Sequence, residues 1–336
     1  MKIKKLFCFS FLMILLSLLV FPFLHNPEAP ILIKIFDLSF QIVKAYTGLC
    51  TDDFSRAKYN QIINLQSFFT FYSSETHIEK LKVPSLFDDY QIDVNLYINK
   101  TFMKENANLP TIVYIHGGGH VVEYADLQFI EKFTETGHVF IEIKYRLAPE
   151  YKFPIPLNDC FSVLHSESIF KYSDKSRLAL FGDSSGGNQV ISLILMMKDR
   201  KSEVLNRIQF LFIFYPSTLM FEGLPSHEKY ENWYILTKEM MKYFISTYAS
   251  KESDYENPYF NIMKGNFSEL PEIYLGLSER DFLFSEGQLL ANILRNAGNS
   301  VTVKTYPIEH GFLTFPIKEV DEAMTDIIKF LKHKKF

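Results

Sequence analysis

The sequence predicts an α/β fold, a mostly parallel sheet with helices on both faces, and three observations carry that expectation. Apolar runs of strand length alternate with helical segments from about residue 92 to residue 331, as repeated strand–helix units do. Several of these runs are apolar throughout, like strands buried on both faces. One run ends on Gly182-Asp183-Ser184-Ser185-Gly186 and passes straight into helical sequence, which marks a tight strand-to-helix turn.

Ahead of the sheet, Ile31, Ile35, Leu38 and Ile42, then Ile62, Ile63 and Leu65, recur at helical spacing, with a break near Tyr46-Thr47-Gly48. Residues 26–85 are therefore assigned to an N-terminal helical segment and residues 86–336 to the main body. Such helices either rest on a membrane surface, cover a site, or simply pack. Ile92, Val94, Leu96 and Ile98 alternate with polar residues, as a half-exposed strand would. Strands follow at 111–115, 139–143, 178–181, 210–214, 273–277 and 301–306, with helices at about 157–165, 189–199, 286–295 and 320–331. Residues 216–266 break the alternation with a Tyr-, Glu- and Lys-rich stretch containing Trp233. That stretch reads as an insertion rather than a domain. Ligands of such sheets sit at the carboxyl ends of the strands.

At 336 residues and 47% hydrophobic the chain can bury one large core, and its length alone would allow two domains. A net charge of −4, with lysines scattered among acids, offers no basic stripe and argues against a nucleic-acid partner. The cysteines are Cys8, Cys50 and Cys160, none in C-x-x-C spacing, so neither a zinc site nor a disulfide framework is indicated. Cys50 and Cys160 could pair in an oxidising lumen, but two separate buried thiols is the simpler reading.

Lys2, Lys4 and Lys5 precede residues 6–24, an uncharged and mainly apolar stretch of 19 residues. It is longer than a usual signal-peptide core, near the length that spans a bilayer, and lacks a clear A-x-A site after it. Residues 1–25 are therefore read as a signal-anchor, with a cleaved signal and a secreted protein as the alternative. With the lysines all before the stretch and Glu28 and Pro30 after it, the body would face a lumen, as in a single-pass type II protein of the endoplasmic reticulum membrane. The sequons at Asn99 and Asn266 fit that side.

A serine between glycines at −2 and +2 has the form of a nucleophile elbow, where a Cβ beside the nucleophile would not fit. Ser184 alone cannot attack a carbonyl carbon at neutral pH; it needs a base to take its proton and an acid to orient that base. Downstream of Ser184 the histidines are His227, His310 and His333, and His310 alone follows a predicted strand. His310 is thus the base, while His227 in the insertion and His333 in the lysine-rich tail read as solvated surface. The loop after 273–277 holds Glu279 and Asp281. Asp281 is preferred because it gives the order Ser, Asp, His; Glu279 is the fallback and otherwise pairs with Arg280. His116-Gly117-Gly118-Gly119 follows the strand ending at Ile115. Its amides, with that of Ser185, are placed to donate to an oxyanion, and His116 reads as ordering the loop. The chain is accordingly expected to be a serine hydrolase.

These motifs, with Tyr145-Arg146-Leu147-Ala148-Pro149-Glu150 between them, resemble the hormone-sensitive-lipase family of α/β-hydrolases, and in particular its arylacetamide deacetylase-like, membrane-anchored esterases. The match runs from about residue 111 to the C-terminus. The resemblance implies Ser184, Asp281 and His310 as a catalytic triad, Gly117, Gly118 and Gly119 as oxyanion donors, and no metal or organic cofactor. It also implies an eight-stranded sheet and a cap built from residues 31–76 and 216–266. The chain departs from the family pattern at Ser185, where alanine is usual, and at His120, where an aromatic is common. Phe282 and Ser285 replace the usual proline and acid around Asp281. Arg146 and Glu150 are read as braces of the fold.

The expected activity is hydrolysis of lipophilic carboxylic esters through an acyl-enzyme. Lipophilicity is inferred from the Phe and Tyr of the presumed cap and from anchoring beside a bilayer. An arylamide deacetylase using the same chemistry is one alternative. A non-catalytic small-ligand receptor on the same fold is another, and Ser184, Asp281 and His310 together count against it. The partners expected are a small ester or amide and, through residues 6–24, a membrane; the oligomeric state has no sequence signal.

Overall fold

The structure is a computed structural model and describes residues 73–104, 107–123, 129–219, 223–232, 236–315 and 317–336. The expected anchor at 6–24, the helices expected within 31–66, and Cys8 and Cys50 lie outside the described residues. Cys160 is buried and unpaired among them.

An eight-stranded sheet runs in the order β1-β2-β4-β3-β5-β6-β7-β8. Its strands are β1 (Thr76–Pro84), β2 (Gln91–Asn99), β3 (Leu109–Ile115), β4 (Val139–Lys144), β5 (Ser173–Asp183), β6 (Ile208–Phe214), β7 (Glu272–Arg280) and β8 (Val301–Glu309). β1 and β2 pair antiparallel, as do β2 and β4, and the other neighbours are parallel. The helices are α1 (Ile130–Glu135), α2 (Ile155–Leu164), α3 (Ser185–Asp199), α4 (Pro225–Lys229), α5 (Lys238–Tyr248), α6 (Phe284–Asn296) and α7 (Lys318–His333).

One boundary needs correction. Residues 76–84, assigned from sequence to the helical segment 26–85, form β1 and belong to the sheet. The strand pattern is faint because β1 is an edge strand: of its nine residues only Val83 is buried, and lysines occupy Lys80 and Lys82. Charged residues on an edge discourage pairing with other chains, and here they also mask the alternation.

The central strands are buried on both sides, and their two faces differ in residue type rather than polarity. Tyr114, Phe140, Phe181, Phe212, Phe214 and Tyr274 face a layer shared with α1 and α7, while Val113, Ile115, Leu180, Leu211, Ile213 and Leu275 face a layer shared with α2, α3 and α6. Phe181 and Phe214 stack at 5.4 Å, and Phe129 meets Tyr114 edge-on at 5.8 Å. On α7, Val320, Ala323, Met324, Ile327 and Leu331 form one buried stripe at helical spacing. Much of the aromatic content is therefore core. The buried aromatics of the insertion, such as Tyr248 and Phe260, join that packing too, so aromatic abundance by itself says nothing about substrate.

Residues 216–266 leave the sheet after β6 and return to it before β7, carrying α4 and α5. Arg146 donates to Asp159 through Nε and Nη2 and to Asp88 through Nη1 at 2.8 Å, tying α2 to the β1–β2 turn. Glu150 is exposed. Among the described residues no helix is long and apolar enough to cross a membrane.

Candidate active site

Four loops at the carboxyl ends of parallel strands converge: after β3 at His116, after β5 at Ser184, after β7 at Asp281 and after β8 at His310. Parallel pairing sets these ends side by side, which is why residues up to 126 positions apart can touch.

Ser184 has φ 53° and ψ −121°, a conformation rare for a residue with a Cβ and found where surrounding structure enforces it. The glycines show what enforces it. A Cβ on Gly186 would lie 2.0 Å from the Ile115 carbonyl oxygen, and one on Gly182 would lie 2.4 Å from that of Gly186. The nucleophile turn thus presses directly against the end of β3. The Ser184 amide donates to the Phe214 carbonyl at 2.9 Å, which fixes the turn to β6 as well.

His310 Nε2 lies 3.0 Å from Ser184 Oγ, and His310 Nδ1 lies 2.7 Å from Asp281 Oδ2. The Leu283 amide donates to the other oxygen, Oδ1, at 2.9 Å. All three side chains are buried, Asp281 most deeply at 1% exposure, so the carboxylate is held with few orientations open to it. Glu279 is exposed, and Arg280 pairs with Glu309 at 2.9 Å rather than with Glu279. His333 is exposed, as its sequence context indicated. His227 is not: it is 4% exposed, donates from Nε2 to Glu286 Oε1 at 2.9 Å, and stacks on Phe282 at 4.5 Å. The surface assignment of His227 is therefore corrected; the insertion folds back onto the loop carrying Asp281.

The turn after β3 is compact. Gly118 has φ 101°, and a Cβ there would strike the Val122 carbonyl oxygen at 2.1 Å. The amides of Val121 and Val122 both reach the Gly118 oxygen, at 3.0 and 2.9 Å. His116 Nδ1 donates to the Gly117 carbonyl at 2.7 Å, and its ring stacks on Tyr145 at 4.2 Å. His116 thus braces the loop, and burial pushes its imidazole below the usual histidine range.

The glycine amides divide in two. The Gly117 amide donates to Asp183 Oδ1 at 3.0 Å and is already committed. Among the described residues the amides of Gly118, Gly119 and Ser185 have no acceptor. Of the four amides expected from sequence as oxyanion donors, one is thus already paired in this structure. Asp183 itself was not singled out from sequence. It is fully buried, accepts from Tyr114 Oη at 2.6 Å and Tyr215 Oη at 3.3 Å, and burial raises its pKa against the opposing pull of these donors. A carboxylate closing the apolar run Leu178-Ala179-Leu180-Phe181-Gly182 was the available signal.

The two departures beside the glycines touch each other. The His120 amide donates to Ser185 Oγ at 3.2 Å, and the His120 ring stacks on Tyr248 at 3.8 Å. Burial holds that imidazole down to about 3. Among the described residues no group of side chains could hold a metal ion.

The family described as the alpha/beta hydrolase fold matches residues 112–314. The carboxylesterase NlhH of Mycobacterium tuberculosis is 30% identical over 221 residues, 62% of this chain and 68% of that one. The vegetative-specific protein H5 of Dictyostelium discoideum is 30% identical over 212 residues; the match spans 60% of this chain and 63% of that protein, under two thirds of its length. Arylacetamide deacetylase-like 2 of Homo sapiens is 26% identical over 219 residues, 62% of this chain and 53% of that one. Among solved structures, an esterase of Pyrobaculum calidifontis superposes with a TM-score of 0.73 at 25% identity, covering 84% of this chain and 94% of that one.

Proposed function

The chain belongs to the alpha/beta-hydrolase family, and from that premise we propose that it is an ester hydrolase that cleaves small carboxylic esters through an acyl-enzyme formed on Ser184. The single observation that carries this reading is the relay from Ser184 Oγ to His310 Nε2 at 3.0 Å and from His310 Nδ1 to Asp281 at 2.7 Å.

Ser184 Oγ attacks the ester carbonyl carbon as its proton passes to His310 Nε2. Asp281 holds Nδ1–H and stabilises the imidazolium that results. The former carbonyl oxygen, now negative, accepts hydrogen bonds from the amides of Gly118, Gly119 and Ser185. Each such donor typically contributes about 10²–10³ in rate, because it is oriented before the charge appears. Collapse of the intermediate breaks the bond to the alkoxy oxygen, which takes the proton from His310 and leaves as alcohol. Water then repeats the sequence on the acyl-serine and releases the acid.

Substrates are lipophilic in this reading. Phe244 of α5 supports it, since its ring carbons come within 2.3 Å of where a Cβ on Gly119 would stand, so an apolar wall borders the oxyanion turn. Replacing Ser184 with alanine should abolish p-nitrophenyl ester hydrolysis and labelling by a fluorophosphonate; undiminished labelling would sink the assignment. A panel of acyl lengths, with anilides beside esters, separates an esterase from an arylamide deacetylase.

We also propose that residues 6–24 anchor the chain with its body in the lumen. The flanking lysines support this, as do the sequons, whose acceptors Asn99 and Asn266 are half-buried and exposed respectively. Glycosidase sensitivity with resistance to carbonate extraction is the expected result. A chain that is extracted and carries no glycan would overturn it.

A further inference from the structure

Besides the Ser217 amide, which donates to the Ser184 carbonyl at 3.1 Å, the insertion of residues 216–266 reaches the loops on either side of the nucleophile at two places. On one side, α4 grips the loop that carries Asp281. Ser226 Oγ donates to the Phe282 carbonyl at 2.6 Å and accepts from the Ser285 amide at 3.0 Å, while the Ser226 amide donates to Ser285 Oγ at 3.1 Å. His227 stacks on Phe282 and donates to Glu286 Oε1 at 2.9 Å. The other oxygen of Glu286 accepts from the amide and hydroxyl of Thr218, at 2.8 and 2.6 Å. Glu286 is fully buried, and these donors satisfy both of its oxygens, as a buried polar group requires.

On the other side, α5 packs on the oxyanion turn. Phe244 and Tyr248, one helical turn apart, meet Gly119 and His120 respectively. The Tyr248 carbonyl also accepts from the Phe153 amide at 2.9 Å, which anchors the end of α5 to the body. The Tyr248 contact is closed to substrate, since its ring and the His120 imidazole are stacked face to face at 3.8 Å.

We infer that the insertion acts as a two-point clamp, with His227 positioning the acid loop and Tyr248 positioning the oxyanion turn, so that it sets turnover rather than merely covering the site. The inference rests on the acyl-enzyme reading above. It assigns the loop without proline at position 282 a substitute restraint: the stack and hydrogen bonds from α4 hold Phe282 where a rigid ring is usual. His227 and Tyr248 touch no reacting atom and act only through Asp281 and the Gly118–Gly119 amides.

The two contacts differ in what they disturb, and kinetics on p-nitrophenyl acetate can separate them. The charged and titratable groups around His310 are Asp281 and Asp183, with the Tyr215 ring edge at 4.9 Å. An imidazolium whose carboxylate partner has drifted gives up its proton more readily. His227→Leu should therefore lower kcat about tenfold, leave KM within about twofold, and move the acid limb of kcat/KM to lower pH. His227→Gln keeps a donor for Glu286 and should restore most of kcat. Tyr248→Leu should lower kcat by about the same factor with the acid limb in place, and Tyr248→Phe, which keeps the ring on His120, should restore it. Ser226→Ala is a milder perturbation of the acid side and serves should His227→Leu fail to fold. A rise in KM with kcat intact would overturn the clamp, as would identical pH profiles accompanied only by a fall in Tm. Fluorophosphonate labelling of the unaltered protein keeps the two claims apart. If it is unlabelled, the acyl-enzyme reading fails; if it is labelled and the variants turn over normally, only the clamp fails.

Discussion

Asp183 should be worth more to this protein as an acceptor than as a charge. Its Oδ1 receives the Gly117 amide at 3.0 Å and Tyr114 Oη at 2.6 Å, while among the described residues Oδ2 has only Tyr215 Oη at 3.3 Å. Burial works against the carboxylate, whose pKa is raised. Asp183→Asn keeps an oxygen for both short bonds, can offer Tyr215 an amide, and removes the buried charge, so the expected loss is about 1 kcal/mol or less. Asp183→Ala leaves the Gly117 amide buried without its acceptor and takes an oxygen from both tyrosines. At roughly 1.5 kcal/mol for each of the two short bonds, the loss is about 3 kcal/mol. The β3 turn would also loosen from the nucleophile, so kcat should fall for alanine well beyond its fall for asparagine. Urea denaturation gives the first quantity and p-nitrophenyl acetate turnover the second. An asparagine variant as damaged as the alanine one would refute the reasoning, since it would mean that the charge does what we ascribe to the acceptor geometry.

Asp281→Asn should lower kcat by roughly 10⁴, because an amide facing Nδ1 favours the tautomer with the proton on Nε2, where it cannot accept from Ser184; a tenfold loss or less in steady-state assays would remove Asp281 from its role. Gly186→Ala should yield no folded enzyme, since its Cβ would sit 2.0 Å from the Ile115 oxygen; soluble, active protein would show that the turn can yield. Thermal stability should fall as pH drops below about 6.5, because the unfolded chain then binds protons that the folded state resists, down to about 3 at His120 and about 4 at His138. Each contributes a slope of roughly 1.4 kcal/mol per pH unit. His120→Phe should flatten the Tm–pH curve measured by calorimetry, and an unchanged curve would contradict the burial of that imidazole.

The chemistry was more legible than the architecture around it. Ser184 and the glycines could be read because a tight turn restricts residue types over five positions, and His310 because it is the one downstream histidine that follows a strand. Asp183 and His227 could not. Whether an acid or an imidazole is buried depends on what the chain brings over it from far along the sequence, and local pattern is blind to that. The strand β1 was hidden by Lys80 and Lys82 on a solvent-facing edge. The aromatic content was visible but its location was not: Phe181, Phe212 and Phe214 fill a layer beneath α7, and only the fold separates such core residues from those of the insertion.

Where the nucleophile turn meets the end of β3, glycine lets the two chains close up: a Cβ on Gly186 would fall 2.0 Å from the Ile115 carbonyl oxygen, and one on Gly117 would fall 2.8 Å from the Asp183 carbonyl oxygen. At those two positions a point mutation has nothing to vary except by breaking the contact. New substrate preferences, whether drifting by descent or selected in a library, must therefore enter through side chains that border the site without restraining it, such as Phe244 beside the oxyanion turn. A library at that position should retain a high fraction of active members, and one directed at the glycines should retain almost none.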